Sequence, residues 1–231
     1  MNIENRHITV WGDSILKGVI LDETTGEYRV HPANCVTRFA DATKTIISNH
    51  ASFGMTTGKA YERITRSIER NPPERNDIVL VEFGGNDCDY SWREISEHPD
   101  EHHEPKTPIS VFGDRLQAIL DTFKAECLSP ILMTLPPLEP NRYLEWISRG
   151  LDRSRILSWL GDVNKIYRWQ EAYNEIVVRT AAANGAQLID VRRQFLVSDK
   201  YPSLICSDGI HPNENGHGII YDSFISYVSG L

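Results

Sequence analysis

The residues whose types and spacing suggest chemistry fall in four separated blocks: Ser14 in Gly12-Asp13-Ser14, Gly54 after Ser52-Phe53, Asn86 in Gly84-Gly85-Asn86-Asp87, and Asp208 with His211 in Asp208-Gly209-Ile210-His211-Pro212. A serine hydroxyl is a weak nucleophile at its own pKa, so a neutral histidine must take its proton and a carboxylate must fix the histidine tautomer. Asp208 and His211, three residues apart on a turn, are suited to do both for Ser14. An attacked ester also builds negative charge on its carbonyl oxygen, which calls for donors held in place before the reaction. The backbone N–H groups of Ser14 and Gly54 and the side-chain amide of Asn86 are the candidate donors, with glycine at 54 allowing close backbone approach.

These blocks need elements that bring them together. Five short apolar runs, at 8–12, 45–48, 77–83, 130–135 and 186–191, read as buried strands, because a nearly continuous β-branched run suits a parallel sheet covered on both faces. Helical spacing of apolar residues marks 56–70, with Thr56 as its expected cap, 111–126, and about 163–184, which Gly185 stops. A last helix is expected just after Pro212. The alternation predicts a three-layer α/β/α domain with a central five-stranded parallel sheet, one domain over residues 1–231. In such sheets the ligand crevice lies beyond the carboxyl ends of the strands, where the first three chemical blocks fall. Two segments exceed the minimal alternation, at about 89–108 and 138–162, and both follow strands, where a cap over the crevice would lie.

With these blocks in this order the sequence resembles the SGNH/GDSL hydrolase family, whose name records the Ser, Gly, Asn and His of four blocks. The match is carried by GDS with Ser14, NHASFGMTT with Gly54, GGND with Asn86 and DGIHP with Asp208 and His211, and it spans essentially the whole chain. The resemblance implies a flavodoxin-like fold, serine esterase or acylhydrolase activity without a cofactor or metal, and an oxyanion hole of Ser14, Gly54 and Asn86. Lys17 departs from relatives that are smaller or more apolar there, which bears on substrate preference. A short-chain, acetyl ester of a sugar or small polar alcohol is the expected substrate; longer-chain lipase, lysophospholipase and thioesterase activities are the alternatives within the family. A metal-dependent phosphoesterase would want more His and Asp ligands at the strand ends, and a non-catalytic carbohydrate-binding protein would have no need of an intact Ser14, His211 and Asp208.

Other residues admit plainer readings. Asp13 and Asp87 suit bonding to loop amides. His98, His102 and His103 with Glu97, Glu101 and Glu104 read as a solvated loop rather than a metal cluster. Trp146 and Trp159 are candidates for lining the substrate pocket, whereas Trp169 reads as packing. Cys35, Cys88, Cys127 and Cys206 have no C-x-x-C pairing and read as buried free thiols. A formal net charge of −8 argues against nucleic acid as a partner, and no apolar run approaches the roughly 18 residues of a membrane span. The polar start, without basic and then apolar segments, leads to the expectation of a cytoplasmic protein. The oligomeric state is open.

Overall fold

The computed structural model describes residues 6–74 and 77–230; residues 1–5, on which the reading of the N-terminus rests, lie outside them. β1 (His7–Trp11) leads into the one-turn helix α1 (Ser14–Lys17) and an antiparallel hairpin of β2 (Val19–Leu21) and β3 (Tyr28–Val30). Next come α2 (Cys35–Thr43), β4 (Ile46–Asn49), α3 (Thr57–Arg70), β5 (Ile78–Val81), α4 (Trp92–Glu97), α5 (Ile109–Ala125) and β6 (Ile131–Met133). They are followed by α6 (Pro140–Ile147), α7 (Arg153–Leu160), α8 (Asn164–Asn184), β7 (Leu188–Ile189), α9 (Val191–Leu196) and α10 (Glu214–Ser229).

The main sheet has five parallel strands in the order β4-β1-β5-β6-β7. Counted within the sheet this is 2-1-3-4-5, a doubly wound order whose crevice opens where the winding reverses, between β1 and β5. Successive strand residues point to opposite faces. Trp11, Val79, Val81 and Leu132 therefore pack with Ile64 of α3, Leu116 of α5 and Tyr173 of α8, whereas Val10, Leu80, Met133 and Ile189 pack with Phe39 of α2 and Phe224 of α10. The result is the three-layer α/β/α fold with the strands at their expected places.

Several features differ from the sequence reading. The β2–β3 hairpin and α2 were not expected. Thr56 stands at the N-cap of α3 but makes no capping bond through its side chain. Asp87 satisfies that helix end instead: the Thr57 N–H donates to its two carboxylate oxygens at 3.0 and 3.1 Å, and the Thr57 hydroxyl donates at 2.6 Å. Finally, Cys127 is exposed, unlike the other three cysteines. It adopts φ 61° where the Leu128 N–H reaches back to Phe123 O to close α5, and this surface turn fixes its exposure.

The two extra segments pack on each other. Trp92 and Ile95 share an apolar cluster with Tyr143, Leu144, Ile156 and Leu160. Asp89 clamps the junction: its carboxylate accepts from the Trp92 indole at 2.8 Å, the Tyr143 hydroxyl at 2.5 Å and the Lys106 ammonium at 2.6 Å. These contacts tie the two segments to each other.

Candidate active site

β1 is followed by Gly12, and the next two residues divide two tasks. Asp13 is the N-cap of α1, its Oδ1 accepting from the Ile15 N–H at 2.9 Å. The Ser14 hydroxyl is thereby left out of capping and meets His211, with Oγ 2.9 Å from Nε2. His211 Nδ1 lies 2.5 Å from Asp208 Oδ2, and the Ile210 and His211 N–H groups donate to Oδ1 at 3.0 and 3.1 Å. Asp208 is fully buried. Burial alone would raise its pKa, but the bonds from His211 and the two amides bring it below the ordinary carboxylate value.

The turn carrying this pair depends on Gly209. Its φ is +79°, and a Cβ there would stand 2.4 Å from Tyr143 N and 2.6 Å from Glu139 O. The Gly209 carbonyl in turn accepts from the Glu139 N–H at 2.7 Å, and the Cys206 N–H donates to His211 O at 2.8 Å. The histidine turn is thus held on one side by the start of α6 and on the other by its own backbone.

Across the crevice, the loop after β5 presents Asn86, whose Nδ2 donates to Asp13 Oδ2 at 3.0 Å. A carboxamide nitrogen carries two hydrogens, so one remains for a ligand. Ser14, Asn86 and His211 line one cleft of about 260 Å³, and Trp146 and Trp159 line it too. Trp169, read from the sequence as packing alone, does both: it stacks edge-on to Tyr173 in the core and borders the cleft. Gly54 is not among the lining residues; its neighbour Phe53 is. A Cβ on Gly54 would meet nothing within 4 Å, so its φ of +69°, not a close approach, is what calls for glycine. Lys17 is exposed and away from the lining. A larger cavity, about 460 Å³, opens near Ile78, Ser129 and Tyr227 at the other end of the sheet, but no histidine lines it.

Sequence reasoning missed Tyr28 and Glu82. The hairpin carries Tyr28 to a ring distance of 4.9 Å from His211, and its phenol is pushed up by burial and then by the nearby Asp208 charge. Phe53 stacks on the same imidazole at 5.9 Å, and Trp146 meets Tyr28 edge-on at 5.7 Å. Tyr28 and Phe53 thus flank the histidine, and Trp146 backs Tyr28. Glu82, directly after β5, is 1% exposed and lines the floor of the cleft. The only hint in the sequence is a carboxylate inside the apolar run Val79-Leu80-Val81-Glu82-Phe83.

Of the histidine-rich loop, His98 and His102 lie at the surface against Glu101 and Glu104, at 3.5 and 2.7 Å. Among the described residues no group of three or more His, Cys, Asp or Glu is placed to hold a metal ion, and no helix is long and apolar enough to cross a membrane.

A serine, a histidine and a carboxylate in hydrogen-bonded series, beside an amide donor at the reversal point of a parallel sheet, can carry out acyl transfer. Residues 10–219 match the model of the GDSL-like lipase/acylhydrolase family. The chain belongs to this family. A GDSL esterase/lipase from Oryza sativa subsp. japonica, WDL1, is 23% identical over 174 residues, 74% of this chain; the chain spans 61% of that curated relative's length. Among solved structures, the lipase/acylhydrolase from Enterococcus faecalis superposes with a TM-score of 0.65 at 20% identity, covering 97% of this chain and 96% of that one. A catalytic mutant of Axe2, an acetylxylan esterase from Geobacillus stearothermophilus, gives a TM-score of 0.68 at 17% identity over 99% and 96% of the two chains. GDSL membership and fold therefore agree with the sequence resemblance.

Proposed function

We propose that this GDSL family member is a serine esterase that hydrolyses a carboxylic ester through an acyl-enzyme, and the single observation carrying the proposal is the Ser14–His211–Asp208 series at 2.9 and 2.5 Å. Ser14 Oγ attacks the ester carbonyl while His211 Nε2 takes its proton. The Asp208 carboxylate holds Nδ1–H in place and stabilises the imidazolium that forms. The oxyanion is received by the Ser14 N–H and the free hydrogen of the Asn86 amide; the Gly54 N–H is the third donor that the family resemblance implies. His211 then returns the proton to the leaving alcohol, and water repeats the sequence on the acyl-enzyme.

The substrate we propose is a short-chain, acetyl ester of a sugar or similar small polar alcohol. A cleft of about 260 Å³ has little room for a long acyl chain beside its alcohol. Aromatic faces at Trp146, Trp159 and Trp169 suit the apolar faces of a sugar ring, while Asn86, Lys106 and Gln170 supply polar contacts. An acetylxylan esterase shares the fold, which makes acetylated xylo-oligosaccharides natural first substrates. The reducing cytoplasm is the compartment we propose, on the strength of four free cysteines. The test is a matrix of acyl lengths against alcohols: kcat/KM peaking at acetyl and rising with a sugar alcohol supports the reading, whereas a peak at long acyl chains overturns it.

A further inference from the structure

The triad leaves unused a pair of buried carboxyls beneath it. Asp13 and Glu82, 2% and 1% exposed, come from the ends of adjacent strands, β1 and β5. Glu82 Oε2 lies 3.5 Å from the Asp13 backbone nitrogen, which brings the two carboxyl groups into the same buried space. Two carboxylates cannot meet this closely out of water with both charged, so one proton is shared between them. Asp13 is the partner with donors of its own, the Ile15 N–H at 2.9 Å and the Asn86 amide at 3.0 Å. Among the described residues, the Glu82 carboxyl has only the long contact from the Asp13 N–H. The negative charge therefore belongs on Asp13 and the proton on Glu82. Burial first, and then the neighbouring Asp13 charge, push the Glu82 carboxyl well above its ordinary range, in agreement with that assignment.

Space around the pair is restricted. A Cβ on Gly12 would lie 3.2 Å from Glu82 Oε2, and one on Gly85 would lie 3.1 Å from Asp13 Oδ2. Glycines on both sides thus let the two loops close around the carboxyls without touching them.

We propose that Glu82 is a positioning residue for the oxyanion donor: its carboxyl O–H donates to the Asp13 carboxylate, which is thereby fixed in the orientation that holds the Asn86 amide toward the substrate carbonyl. The chain of contacts runs Glu82 to Asp13 to Asn86, so Glu82 acts without touching the reacting atoms. This inference rests on the esterase reading of the cleft, in which Asn86 is an oxyanion donor.

The test combines kinetics on an acetate ester with infrared spectroscopy of the free protein at neutral pH. Wild-type protein should show the C=O stretch of a protonated carboxyl, and Glu82→Gln should lose it. Glu82→Gln keeps a donor toward Asp13 and should retain kcat within about threefold. Glu82→Leu, with no donor, should lose kcat by about 10- to 100-fold at nearly constant KM, the scale expected when a reacting group is slightly misplaced. In an Asn86→Ala background the same Glu82→Leu change should cost nothing further. A missing infrared band in the wild type, a band that survives in Glu82→Gln, a full kcat in Glu82→Leu, or an undiminished loss in the Asn86→Ala background would each overturn the proposal. The infrared result stands even if Glu82→Leu does not fold. Absence of any wild-type ester turnover would instead count against the esterase reading, with the band still deciding where the proton lies.

Discussion

Replacing Asp208 by asparagine tests how the histidine is oriented, and the surrounding bonds specify what the replacement does. Two backbone N–H groups, those of Ile210 and His211, point at Oδ1 at 3.0 and 3.1 Å, so the asparagine carbonyl oxygen must occupy that position. Its NH2 is then forced toward His211 Nδ1, where the carboxylate oxygen stood 2.5 Å away. Nδ1 becomes an acceptor, the ring proton moves to Nε2, and the nitrogen facing Ser14 can no longer take the hydroxyl proton. In a serine protease with this arrangement the corresponding change lowers kcat by about 10⁴, or about 5 kcal/mol of transition-state stabilisation. A similar loss is expected here. KM should hardly move, because Asp208 does not line the cleft. Steady-state kinetics on a chromogenic acetate ester, with circular dichroism as a check on folding, give the answer. A loss of less than about tenfold in folded Asp208→Asn protein would refute the reasoning.

Three further predictions follow from single contacts. Asn86→Ala should lower kcat by about 10²- to 10³-fold with little change in KM, as expected for a lost oxyanion donor; a change mainly in KM would place Asn86 in ground-state binding. Gly209→Ala should destabilise the fold by more than about 2 kcal/mol, because its Cβ would collide with the α6 backbone at a positive φ; an unshifted thermal midpoint would contradict this. Burial lowers the His217 pKa from 6.5 to about 4, so below pH 6.5 the unfolded chain takes up a proton that the native ring refuses. That linkage removes about 3 kcal/mol of stability by the time the pH has fallen through 4, and none of it above 6.5. Urea unfolding of His217→Gln should be less acid-sensitive by about this amount, and parallel curves for variant and wild type would disprove it.

Much of the framework was legible because a parallel sheet imposes a simple pattern. Strands buried on both faces must be apolar throughout, and the runs around Val10, Leu80 and Leu132 stand out for that reason. Glu82 was hidden by the same pattern: nothing local to the apolar run singles it out, and only the spatial approach of Asp13 gives a buried carboxyl there a partner. The hairpin was illegible because Val19-Ile20-Leu21 is short and Tyr28-Arg29-Val30 is exposed without alternation. Its consequence, Tyr28 against His211, depends on a tertiary fold-back that no local spacing encodes. Trp169 sits at helical spacing with Tyr173, which marks it as core, and its second role at the cleft arises from the packing of the two extra segments. The Asp208–His211 pair was the most legible of all, since its geometry is local to one four-residue turn.

The most direct test of the central claim is covalent. Incubation with a fluorophosphonate, followed by peptide mass spectrometry, should yield one adduct, on Ser14, with loss of ester turnover in proportion to labelling. Ser14→Ala should give neither adduct nor turnover. Ester hydrolysis that persists in Ser14→Ala, or in wild-type protein carrying the full adduct, would contradict the assignment of Ser14 as the nucleophile.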